Sequence, residues 1–227
     1  MANIALSGNG NDVTAKGNYY LNNADKEFDA ALAINKLNVH TLEAFTAGNI
    51  KNATGNIHGN ISFDGKFANP RWKGQLDFDT TRFTLTQLGT PYKINNQKII
   101  LDYPRITFPE FLVKDSLDHT MKIDGYLSSN TLMDYDLNLD INARDFILVN
   151  TAKNLDNQFY GYASVDANVS VTGNSAAPKI EGDVFVNDKS DITIVLPQAN
   201  YNKDDGKTVV RFIDRDTFVI NPPVKYF

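Results

Sequence analysis

The chain has 227 residues, 42% hydrophobic and 22% charged, enough to bury the core of one large β domain or two small ones. Its formal charge of −5 comes without a basic stripe, which argues against nucleic-acid binding by phosphate neutralisation. With no cysteine, disulfides, thiolate metal sites and thiol nucleophiles are excluded, and no apolar run approaches the ~18 residues of a membrane-spanning helix.

Along the chain, alternation is the main signal. The opening stretch, residues 2–8, lacks the basic start and long apolar region of a signal peptide. Residues 39–47 alternate poorly and precede Gly48, which predicts a short helix of about two turns. Apolar residues then fall on every second position in 75–79, 135–142, 165–171, 183–186 and 191–194. Successive strand side chains point to opposite faces, so each segment presents one apolar and one hydrated face. Fully buried parallel strands would read as unbroken apolar runs, so the pattern predicts a one-sided antiparallel sheet. Turn chemistry separates the segments at Asn22-Asn23, Gly65, Asn69-Pro70, Gly89-Thr90-Pro91, Ser128-Ser129-Asn130 and Asn187-Asp188. The strands read as five to eight residues long, about fourteen in all; at ~4.8 Å per strand their stack would run roughly 65 Å.

An internal repeat is the most specific feature. Gly65, Pro70 and Gly74 recur as Gly173, Pro178 and Gly182, offset by 108 residues in each case. Tyr20-Leu21 aligns with Tyr126-Leu127, Ile34-Asn35 with Ile141-Asn142, Ile61 with Val169, and Phe83-Thr84-Leu85 with Ile192-Thr193-Ile194. The chain therefore reads as a single elongated β-sheet array, residues 1–227, of two repeats (about 16–121 and 122–200) with a C-terminal tail, 201–227.

Catalytic chemistry is not legible. His40, His58 and His119 follow no metal-ligand spacing and read as surface or turn residues. The carboxylate pairs Asp77/Asp79, Asp134/Asp136 and Asp214/Asp216 share a face by spacing, but at least the first two sit on the hydrated side of an alternating strand. Gly8-Asn9-Gly10-Asn11 lacks the strand-then-helix context of a phosphate loop, and Trp72 lies within the Gly/Pro motif, where a buried or edge-capping role is expected rather than a ligand platform. No enzyme activity, cofactor or metal site is expected.

A sheet with one apolar face must cover it with a second sheet, a barrel wall, a membrane, or an apolar ligand or partner. The short strands argue against a membrane barrel, whose strands need ~9–11 residues. Residues 55–65 followed by 69–78, and 165–171 followed by Gly173 and 178–186, resemble a repeat of the TamB family; residues 92–101 resemble the strand pair that follows. The resemblance covers about residues 16–200. It implies an all-β fold, a long antiparallel sheet curled into an open trough with a hydrophobic interior (a β-taco) and at most one or two short helices. It implies the periplasmic portion of an inner-membrane-anchored bacterial protein, of which this chain would be an internal fragment. The implied work is outer-membrane biogenesis: conducting phospholipid between the two membranes, or chaperoning the assembly and secretion of outer-membrane and autotransporter proteins. The implied partners are phospholipid acyl chains and a BamA-like or TamA-like outer-membrane barrel assembly protein, with membrane contact only through parts outside this fragment. The candidate groove lining is Ile61, Phe63, Leu76, Phe78, Phe83, Leu85, Leu137, Leu139, Ile141, Val169, Val171, Val184, Val186, Ile192 and Ile194. Two alternatives stand beside it: a tandem β-sandwich binding module with a closed core, and a carbohydrate-acting enzyme on a β-solenoid, which would need an exposed carboxylate cleft.

Overall fold

Alternation becomes architecture through register. In the computed structural model of the chain, residues 1–21, 25–129, 134–153 and 159–195 are described, all within one unit, Met1–Val195. Among them are the strands β1 (Ala2–Gly8), β2 (Asn11–Tyr19), β3 (Phe28–Asn38), β4 (Ile50–Thr54), β5 (Asn56–Lys66), β6 (Asn69–Phe78), β7 (Thr81–Leu85) and β8 (Pro91–Ile94). They continue as β9 (Gln97–Asp102), β10 (Arg105–Lys114), β11 (Thr120–Ser128), β12 (Asp136–Thr151), β13 (Phe159–Asn174), β14 (Lys179–Val186) and β15 (Asp191–Ile194). The main path of the sheet is β1-β2-β3-β5-β6-β9-β10-β11-β12-β13-β14, every neighbour antiparallel. The fold is an open all-β trough, one long antiparallel sheet that does not close into a barrel. Two separate closed sandwiches are not what the described residues form.

Residues opposite each other in a ladder share a face. One row runs Leu32, Ile61, Gly74, Leu101, Ile106, Leu127, Leu137, Gly173 across eight strands. The next runs Gly125, Leu139, Val171, Ile180. The hydrophobic set therefore occupies one side of the sheet from end to end.

Glycines and bulges accompany the bending of this sheet. Gly125 (φ 122°) and Gly182 (φ 140°) lie on the apolar face, and a Cβ on either would come within 2.1 Å of a cross-strand carbonyl oxygen, Asn138 or Asn168. Strand contact this close, in a backbone region closed to L side chains, requires glycine. Bulges interrupt β10 at Phe108/Phe111 and β12 at Ala143/Phe146. Their extra residues Glu110 and Asp145 take positive φ, and each backbone N–H finds a carboxylate on the next strand, Asp124 at 3.1 Å and Asp166 at 2.7 Å. A freed ladder donor is thereby satisfied while the strand bends.

Four strands lie off the main path: β15, which pairs with β13, and β4, β7 and β8. Between β3 and β5 the chain leaves as a 3-10 helix, Val39–Phe45, and β4; between β6 and β9 it leaves as β7 and β8. Yet β3 pairs with β5, and β6 with β9, as if neither excursion existed. β4 pairs with β7, β7 with β8, and β8 touches the main path at one pair, Lys93↔Lys114. The helix matches the expectation for 39–47: the Asn38 side chain caps it by accepting from the His40 N–H, and Gly48 follows with φ 82°. Strand lengths differ from expectation, since β12 and β13 run 16 residues each. The stack also differs, because only eleven strands lie on the path, giving about 48 Å rather than roughly 65 Å.

Candidate functional site

The candidate site is the apolar face. Of the fifteen predicted lining residues, thirteen lie on it: Ile61 and Phe63 on β5, Leu76 and Phe78 on β6, Leu137, Leu139 and Ile141 on β12, Val169 and Val171 on β13, Val184 and Val186 on β14, Ile192 and Ile194 on β15. Phe83 and Leu85 sit on β7 instead and pack down onto the face. Most of the thirteen are half-buried. Toward the last strands the face opens fully, with Val184 at 56% and Ile194 at 67% exposure.

The two excursions cover part of this face along one rim. Tyr92 and Ile94 of β8 join Phe111 and Val113 of β10 and Phe146 of β12 in a fully buried cluster, backed by Phe78, Phe83, Ile99 and Ile123. Tyr92 and Phe146 stack with ring centroids 5.5 Å apart, and Phe78 meets Phe111 edge-on at 5.6 Å. The second cluster, Val39, Ala53 and Ile57, continues the cover under the helix and β4. The β7–β8 hairpin, residues 81–94, thus forms a strap. Its tip is fastened to β12: the Asn150 N–H donates to the Leu88 carbonyl at 2.9 Å, and the Tyr92 hydroxyl donates to the Leu148 carbonyl at 2.9 Å. Leu148 is the extra residue of the bulge between Ile147 and Val149, so its carbonyl is turned out of the β12–β13 ladder. Burial pushes the Tyr92 phenol up to about 12.

Asp115 secures the same corner. Fully buried, it accepts from the Leu117 and His119 N–H groups at 2.8 and 3.0 Å, and from the Ile147 N–H at 2.8 Å. The His119 ring Nδ1 lies 2.9 Å from Oδ2, the oxygen that also takes the Ile147 N–H. The buried carboxyl group is thus hydrogen-bonded at both oxygens, which ties the turn after β10 to β12. His58 lies on the opposite, polar face between the Asn35 carbonyl and the Asp79 carboxylate, which raise its pKa in that order of importance. His40 is exposed beside Glu43, and Asp77 meets the Gln75 side chain on the polar face. Trp72 is buried against Tyr103, the first of the two roles its place in the motif suggests. The predicted pair Asp214/Asp216 and the tail 201–227 lie outside the described residues.

The face holds residues that alternation alone does not expose. Leu101 is hidden by the unbroken run Ile99-Ile100-Leu101, of which Ile100 faces away. Ile123 and Leu127 are separated by Gly125, which has no side chain to score, although the spacing of the two is itself a period-two signal. A family model described as the TamB C-terminal domain matches residues 3–107 and 110–225.

The chain belongs to the TamB family.

Neither the curated proteins nor the solved structures give a match. The TamB family is one of membrane-associated envelope proteins involved in outer-membrane assembly and biogenesis, working with the outer-membrane assembly machinery. Among the described residues, no helix of this TamB-family chain is long and apolar enough to cross a membrane.

Proposed function

We propose that this TamB-family chain is a section of a hydrocarbon conduit, holding the acyl chains of phospholipid as they pass between inner and outer membrane. The observation that carries the reading is the register: one aliphatic face, continuous across eleven strands and half-exposed over much of its length. Each methylene laid on such a face gains up to about 0.8 kcal/mol, so long chains are held firmly overall. Successive strands repeat the same surface every ~4.8 Å, so a chain moves between near-equivalent positions.

Lipid suits this face better than an unfolded barrel protein. The main-path backbone groups are spent in ladders, and the face offers aliphatic and aromatic side chains. A polypeptide lying on it would bury N–H and C=O groups without partners, at a cost of about 1–3 kcal/mol each. Hydrocarbon has no such groups. In this reading the chain works in the periplasm as part of an inner-membrane-anchored protein, without catalysis, and delivers to a barrel assembly partner at the outer membrane.

The test is mass spectrometry of the purified fragment. Phospholipid should co-purify, and Leu139→Asp or Leu127→Asp should remove it while circular dichroism stays that of the sheet. A lipid-free wild-type fragment, or lipid content unchanged in both variants, defeats the reading.

A further inference from the structure

The strap covers only one half of the trough's width, and the two halves differ in kind. At one end of the strands, Phe111, Val113 and Phe146 lie beneath Tyr92 and Ile94, with exposures of 1–7%. At the other end of the same strands, Ile106, Leu127, Leu137 and Leu139 are half-buried and belong neither to the strap cluster nor to the side chains packed against it. Cross-strand pairing continues this second half through Ile61 and Phe63.

We infer that the strap is a fixed wall rather than a gate, and that it confines acyl chains to the uncovered lane over Ile61, Phe63, Ile106, Leu127, Leu137 and Leu139. The inference rests on the conduit reading and adds which half of the face the cargo uses. Two observations carry it. The covered half is already filled by the chain's own aromatic rings, in mutual contact at 5.5–5.9 Å between centroids, leaving no place for a ligand. The strap is also held at both ends of its span, by the β4–β7 ladder on one side and by the Leu148 carbonyl and the Asn150 N–H of β12 on the other. A gate would have to abandon the best-buried cluster among the described residues. The lane needs no such movement, since it runs from strand to strand beside the strap.

The composition of the chain makes the test direct. Trp72 is its single tryptophan, buried at 3% against Tyr103, and there is no cysteine. Trp72→Phe therefore gives a background in which one new tryptophan reports its own surroundings. Phosphatidylcholine brominated on its acyl chains quenches tryptophan at contact range. Bound to the purified chain, it should remove most of the emission of Leu127→Trp in that background relative to unbrominated lipid, or of Leu137→Trp should the first overpack. Emission should stay at the unquenched level when the tryptophan lies under the strap, as Phe111→Trp or, should that overpack, Tyr92→Trp. In a second arm, Leu88→Cys with Asn150→Cys ties the strap to β12, disulfide formation being read by mass. Lane quenching and bound lipid should be equal in the oxidised and reduced forms. Quenching under the strap, or a several-fold loss of lipid on oxidation, overturns the wall and makes the strap a gate. Lipid that binds without quenching the lane tryptophan overturns the lane alone. No lipid bound in any variant removes the conduit reading and the lane with it.

Discussion

The two Gly-Pro-Gly segments begin alike and end differently. In the first, β5 and β6 form a hairpin in which Gly65 pairs with Pro70; in the second, β13 and β14 form the corresponding hairpin after Gly173. Each is followed by a short apolar strand, β7 or β15. β7 pairs with β4, separated from β5 by Gly55, and β15 pairs with the first residues of β13 itself. At Gly55 φ is 101°, and a Cβ would lie 2.2 Å from the Thr80 carbonyl oxygen. The position 108 residues on is Ala163, inside a continuous strand. A break at glycine lets β4 and β7 leave the main path and cover the apolar face. Where the strand runs through, β15 stays at the edge of the sheet, with Ile192 and Ile194 exposed. One backbone position thus accompanies the difference between a covered face and an open one.

The largest way to break this contrast is to empty the covered half. Phe146→Ala should cost about 3–5 kcal/mol in denaturant unfolding, whereas Ile194→Ala, 67% exposed, should cost under about 1 kcal/mol. Equal costs would mean that the strap cluster is not the core of the fold.

Alkali should act on the strap next. The Tyr92 phenol, raised to about 12 from an ordinary value near 10, stays neutral in the folded chain after it ionises in the unfolded one. Its stabilisation is full below pH 10 and fades as pH rises from about 10 to about 12, by about 3 kcal/mol. Tyr92→Phe should flatten that part of the stability profile while losing about 1 kcal/mol at neutral pH with the bond to Leu148. An unchanged alkaline slope in the variant sinks the assignment.

Gly55→Ala probes the hinge itself. Positive φ and the approach of the Thr80 carbonyl should together cost at least about 1–3 kcal/mol, with faster amide exchange in β4 and β7 than in β13 and β15. Uniform exchange changes along the chain would show that Gly55 does not control the fold-over.

The smallest effect belongs to the polar face. Because the Asn35 carbonyl and the Asp79 carboxylate raise the pKa of His58, its contribution is complete below about pH 6.5 and is lost as pH rises through the higher folded value. Melting temperature followed against pH should show a shallow decline there, weakened in Asp79→Asn. His58 is substantially exposed, so the decline is slight.

Much of this was legible beforehand because period-two alternation is local. Leu137, Leu139 and Ile141 declare their face by spacing alone, and the structure puts them on one side. Phe83-Thr84-Leu85 alternates just as well, yet it belongs to a strap lying over that side. Nothing within five residues distinguishes a strand that extends a sheet from one that folds across it. Buried Asp115 was equally invisible: its partner Ile147 is 32 residues away, and a lone aspartate in a turn usually meets water.

The sequence by itself determined that the chain is strand, that its strands are one-sided, and where its Gly-Pro-Gly hairpins turn, since each follows from neighbours a few residues apart. Tertiary structure alone decided that β6 pairs with β9 across the strap, that eleven of the described strands stack while four lie off the path, and that half the face is covered. Those outcomes depend on which distant backbones share hydrogen bonds and which rings fill a common volume, and alternation carries no record of either.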